Sequence, residues 1–130
     1  MNPATMRQTF VIGTYLLMAA IGIQFLLAGL GVFTTFGFFW HATVNGAVVF
    51  FLPILMLIAG RLGKVPTRLM WMALLIPILV IVQSLLLVPY HISGSGAWRV
   101  ISAFHVVNAL AIFAVGLRLM DASRELGKAA

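Results

Sequence analysis

Two imidazoles, each followed one helical turn later by a carboxamide, carry the chemistry available to this chain: His41 with Asn45, and His105 with Asn108. A glutamine precedes each pair, Gln24 the first and Gln83 the second. A neutral imidazole can ligate a transition metal or a haem iron, and a neighbouring acceptor then fixes which ring nitrogen carries the proton. The same groups can instead act as hydrogen-bonding glue between helices. Polar and ionisable groups in hydrocarbon are costly and tend to mark functional positions, and the sequence around these six is otherwise strongly apolar.

The elements that must position them are transmembrane helices. The chain has 130 residues, of which 63% are hydrophobic and 8% charged, and its mean hydropathy is +1.16. About 20 apolar residues cross a hydrocarbon core as a helix. Four stretches meet that length: Phe10–Phe33, Phe38–Gly60, Leu69–Tyr90 and Ala97–Met120. Little remains beyond termini and loops, so a soluble catalytic domain is excluded. The first stretch is too long for the apolar region of a secretory signal, and only Arg7 precedes it, so it reads as a retained helix. The absence of cysteine excludes disulfides and thiolate ligands.

The net charge of +6 follows membrane topology rather than nucleic acid. Arg61, Lys64 and Arg68 crowd the second loop, Arg118, Arg124 and Lys128 lie at the end of the chain, and Arg7 lies at its start. Only Arg99 falls on the other side. The positive-inside rule then puts both termini and the 61–68 loop in the cytoplasm. The expected fold is an all-α, polytopic membrane protein, a single four-helix domain over residues 1–130 with up-down-up-down order. Gly60–Pro66 and His91–Gly96 form its turns, and Pro53 and Pro77 permit kinks that shape the bundle. Helices 2 and 4 lie on a diagonal. Each half shows a glutamine followed by a histidine and an asparagine, a faint internal duplication.

From the rise of about 1.5 Å per residue, His41 lies about 5 Å and His105 about 12 Å inside the outer ends of their helices. Gln24 and Gln83 fall about 10–14 Å deep, so the polar residues share the outer half of the membrane. Polar groups should turn to the bundle interior, so each even-numbered helix offers one inward histidine with an amide beside it. Three chemistries compete: interhelical hydrogen bonding, bis-histidine haem ligation, and a zinc or copper site. The last wants three or four ligands, and His91 is the only further nitrogen donor of that kind.

The placement of His41 near the start of helix 2 and His105 in the outer part of helix 4 resembles one four-helix half of the haem A synthase family. That family also has an acidic motif in an outer loop. This chain has only Asp121 and Glu125 as acids, both beyond helix 4, so the family's oxidation chemistry is not implied. The stretches Gln24–Gly31, Gly60–Gly63 and His105–Leu110, with the His41 region and Gln83, also resemble a family of small four-helix bacterial membrane proteins of unknown function.

The function expected is a b-type haem protein of the bacterial cytoplasmic membrane, with His41 and His105 as axial ligands. Asn45, Asn108, Gln24 and Gln83 line the pocket or support the ligands. Arg99 either pairs with a haem propionate or snorkels, and Trp98 anchors the interface. The role is electron transfer, or service as a subunit beside other membrane proteins or a second copy of the chain. No acid–base pair or nucleophile constellation is present, so independent catalysis is not expected. The rivals are a cofactor-free interaction subunit whose polar layer is glue, and a small transporter or lipid-binding bundle.

Overall fold

The computed structural model describes residues 2–92 and 96–128, and its described residues form helices and short connections. Ser93, Gly94 and Ser95 of the expected outer loop, and the side chain of Trp98 with its expected anchoring role, lie outside the described residues. Helix α1 spans Pro3–Phe33. The second span is composite: α2 (Phe39–Val44), a π-helical turn (Asn45–Phe50) and α3 (Phe51–Leu62). Helix α4 spans Thr67–Leu85, α5 is the short Val88–Ile92, and α6 runs Gly96–Lys128.

Four helical runs are long and apolar enough to cross a bilayer, and only 17–33% of each apolar window is buried inside the protein. Large side chains such as Leu26, Leu55, Trp71 and Val106 are exposed instead. An outward surface of this kind fits contact with lipid, and the chain is a multi-pass membrane protein.

The helix ends differ from those expected in three places, each for a local reason. Helix α1 begins at Pro3, because Asn2 caps it by accepting from the Ala4 N–H at 3.0 Å and proline suits a first helical position. Helix α4 stops at Leu85 rather than Tyr90. Within a continuous helix Pro89 would remove the bond to the Leu85 carbonyl, so the chain breaks at Leu86–Leu87 and restarts with Pro89 in the first turn of α5. Helix α6 continues past Met120, where Leu119 and Ser123 are buried and Arg124 pairs with Asp121 at 3.2 Å. Near Pro53 no simple kink forms. Proline cannot donate to the Val49 carbonyl and its ring crowds it, and the wider π-helical turn lies immediately upstream.

Helix α1 packs on α3 and α6, and α4 packs on the same two. The second and fourth spans therefore face each other across the bundle. Tight approaches occur at small residues, as expected where lipid offers no hydrophobic drive. A Cβ on Gly13 would lie 2.7 Å from Met56 Cγ, and one on Gly116 2.8 Å from Met18 Sδ. Buried between α1 and α6, the hydroxyls of Thr14 and Ser123 meet at 2.9 Å. The basic connection after α3 closes as a Schellman turn: Val65 N–H donates to Gly60 O at 2.9 Å and Lys64 N–H to Arg61 O at 3.3 Å. Lys64 occupies its left-handed position, with φ +54°. Arg7 Nε reaches across from α1 to Gly63 O at 3.1 Å.

Candidate functional site

His41 is positioned by the connection between α1 and α2. Thr34 ends α1 by returning its N–H and hydroxyl to Leu30 O, and its Oγ1 accepts the Phe36 N–H at 3.1 Å. Gly37 then takes φ +70°, a left-handed conformation that glycine adopts without a Cβ clash. Phe38, at the start of α2, meets the His41 ring edge-on with centroids 6.3 Å apart. From the first turn of α2, His41 Nδ1 reaches the Gln24 backbone carbonyl at 3.2 Å.

His105 makes the same bond in the second half of the chain, from Nδ1 to the Gln83 carbonyl at 3.0 Å. That carbonyl is open because α4 ends early. Leu86 N–H returns to Val82 O and Leu87 N–H to Ser84 O, which leaves Gln83 O among the unclaimed carbonyls of a helix terminus. The faint duplication in the sequence thus takes physical form as one bond made twice, histidine Nδ1 to glutamine carbonyl.

A carbonyl only accepts, so both Nδ1 atoms donate to it, and in the neutral form of each ring the lone pair falls to Nε2. This is the arrangement in which a ligating histidine is commonly held, with its far N–H tied to a backbone carbonyl. The two rings face each other across the diagonal with centroids 6.5 Å apart and planes inclined by 51°.

The amides are less symmetric. Asn108 Nδ2 donates to Leu79 O at 2.8 Å and to Gln83 Oε1 at 2.6 Å, which locks the α4–α6 side of the layer. The Gln24 side chain is 8% exposed, and neither its Nε2 nor its Oε1 has a partner. Ser102 Oγ, one turn before His105, is also buried without a partner. Asn45, the first residue of the π-helical turn, lines a cleft of about 460 Å³ together with His41, His105, Gln83, Phe50 and Val80. Ligand pockets typically measure about 300–1,000 Å³.

The structure therefore gathers His41, His105, Gln83 and Asn45 at one cleft, with Asn108 bracing Gln83 from α6 and Gln24 holding His41 through its main chain. Arg99 is exposed near the start of α6 and is not among the residues lining the cleft. Among the described residues no group of three or more histidines, cysteines or acids could hold a metal ion. Sequence reasoning marked the two glutamines for their side chains, whereas their carbonyls bind the histidines. No residue type signals that. It did not mark Ser84, and it weighed His91 only as a third ligand for zinc or copper, although both line the cleft. The proline at 89 was the available clue to His91, since it separates α4 from the short α5 that carries His91.

No curated protein and no solved structure shows significant similarity to the chain. Residues 24–89 match a family described as "Family of unknown function (DUF6220)". The matched half begins at Gln24 and takes in His41, Asn45 and Gln83, so the first histidine, its carbonyl acceptor and the cleft wall from α4 all lie within it. On that match, the chain belongs to the DUF6220 family.

Proposed function

We propose that this protein binds haem b between His41 and His105 in a bacterial cytoplasmic membrane and serves electron transfer, alone or within a larger membrane complex. The observation that carries the reading is the matched pair of Nδ1–carbonyl bonds, which orients two Nε2 lone pairs without any acidic residue nearby. The donor set fits the group. His41 and His105 would hold the iron through Nε2, and their ring centroids are 6.5 Å apart. The apolar wall of Phe50, Val80 and Ile81 suits a macrocycle. The resemblance of the two histidine positions to one half of haem A synthase points the same way.

When bound, the haem supplies a one-electron redox couple. The chain's own residues do the rest: the Gln24 and Gln83 carbonyls hold the ring tautomers, and Asn108 keeps Gln83 in place. Both termini and the basic 61–68 connection face the cytoplasm in this reading, and the histidines lie toward the outer surface.

The test is an absorbance spectrum of the full-length protein purified after expression with ample haem. A Soret band is expected, and His41→Ala and His105→Ala each abolish or grossly shift it. A band unchanged in both variants rejects the ligand assignment. A protein that takes up no haem leaves the rival, in which the same interhelical bonds, including the two from Asn108 Nδ2, serve as glue in an interaction subunit.

A further inference from the structure

We propose that the connection between α3 and α4 binds an anionic phospholipid, with Arg61, Lys64 and Arg68 holding the headgroup phosphate and Arg7 completing the site from α1. This site is independent of the haem reading and lies at the other end of the bundle. Arg61 stands in the last turn of α3, Arg68 in the first turn of α4, and Lys64 in the Schellman turn between them. All three side chains are exposed. Arg7 is brought to the same turn by its bond from Nε to Gly63 O. The α1 backbone lies so close there that a Cβ on Gly63 would be 2.8 Å from Arg7 N. With Nε engaged, the two terminal nitrogens of the guanidinium remain for a phosphate, a group that arginine binds well.

The cluster is left unneutralised. The acids of the chain, Asp121 and Glu125, both belong to α6, and among the described residues none of Arg61, Lys64 and Arg68 forms an ion pair. Lys64 also sits at φ +54°, where glycine would meet no steric cost, so its ammonium is held in the turn against the local backbone preference.

The surface beside the cluster selects a lipid over a soluble anion or an acidic protein segment. Arg68 heads an exposed stripe that continues along α4 as Trp71, Leu75 and Ile78, and Arg61 adjoins the exposed Ile58 and Leu62 at the end of α3. These residues recur at intervals of three and four, so each stripe keeps to one helix face. A cation at the end of an apolar, lipid-facing stripe complements a molecule with a phosphate head and hydrocarbon chains.

The experiment reconstitutes the full-length chain into phosphatidylcholine vesicles, with Trp40→Phe and Trp98→Phe so that Trp71 is the sole tryptophan. Brominated-chain phosphatidylglycerol or brominated-chain phosphatidylcholine is introduced in steps, and contact with Trp71 is read as quenched fluorescence. The anionic lipid is expected to reach half its full quenching at a mole fraction about tenfold lower than the neutral one, the scale of two or more basic side chains acting on one headgroup. Arg61→Gln and Lys64→Gly should each reduce that preference about fivefold, and Lys64→Arg should retain it. Arg118→Gln, which removes an exposed charge of α6, should retain it as well. Lys64→Gly is the decisive variant, because glycine suits the backbone of the turn and an undiminished thermal midpoint shows that the fold is kept. Equal quenching by the two lipids, or a preference that Lys64→Gly leaves intact, overturns the proposal. An equal fall in Arg118→Gln overturns it too, since a diffuse surface potential then accounts for the preference. Inorganic phosphate at millimolar concentration should leave the quenching unchanged. If it abolishes the preference, the turn binds soluble anions and the lipid assignment fails.

Discussion

Gln24 and Gln83 are the same residue type at equivalent places, yet their side chains have opposite energetic roles. The Gln83 amide oxygen is engaged by Asn108, whereas both polar atoms of the Gln24 amide are buried and unpaired. Removing a partner from a buried polar group costs its desolvation, and removing an already orphaned group recovers it. In detergent, Asn108→Leu should therefore lower stability by about 1–2 kcal/mol, and Gln24→Met should leave it unchanged or raise it by up to about 1 kcal/mol, as measured by unfolding in a denaturing detergent. A loss of stability in Gln24→Met would mean that its amide has found a partner. Because the His41 bond uses the Gln24 main chain, Gln24→Met should also leave any His41-dependent absorbance in place. At this scale the identity of the polar residues was readable from the sequence, since little else in an apolar chain can bond. The atoms they use were not. A main-chain acceptor becomes visible only when the end of α4 is known to fall at Leu85.

Among the elements, the connections decide where the histidines stand. The Schellman turn after α3 puts Lys64 at the position where glycine is usual, and a side chain there bears a steric cost that glycine lacks. Lys64→Gly should stabilise the protein by about 0.5–1 kcal/mol, a rise in thermal midpoint that Lys64→Ala should not reproduce. The opposite connection is packed to its limit. A Cβ on Gly31 would lie 2.7 Å from the Phe38 ring and 2.9 Å from the Gly37 carbonyl. Phe38 in turn abuts His41. Gly31→Ala should therefore displace α2 and, if the proposed haem site holds, weaken haem uptake severalfold more than Gly29→Ala, where a Cβ meets nothing. Absorbance titration of the two variants checks this. Hydropathy was enough to find four spans, because length and apolarity alone define them. It could not see that Pro89 would split the third, or that buried Ser123 would extend the fourth.

Considered as a whole, the molecule is polarised. The cleft and both histidines occupy one end, and Arg7, Arg61, Lys64 and Arg68 gather at the other, where Arg7 is tied to Gly63. The diagonal placement of the second and fourth spans followed from short connections and was legible early. The 6.5 Å approach of the rings was not, because it depends on azimuth as well as depth. The native chain has no cysteine, so single-cysteine reporters are clean. With the proposed orientation, Lys64→Cys should react with a membrane-impermeant maleimide only after the cells are opened, and Thr35→Cys should react in intact cells. The reverse pattern would invert the topology and place the cleft on the cytoplasmic side.

The wide turn at Asn45–Phe50 has a consequence for how this chain tolerates change in length. Successive residues of an α-helix are separated by about 100° around its axis, and a π-helical turn holds one residue more than the regular helix would. Deleting Gly46, whose position has open space around it, would let the segment relax to an ordinary helix. Because the turn holds that residue in surplus, the segments on either side would keep nearly the same facing. His41 would stay turned to the cleft, and α3 would keep its contacts with α1. A one-residue deletion at Gly46 should therefore preserve folding, membrane insertion and the histidine pair, whereas one inside α3, which has no residue to spare, would turn His41 out of the cleft by about 100°.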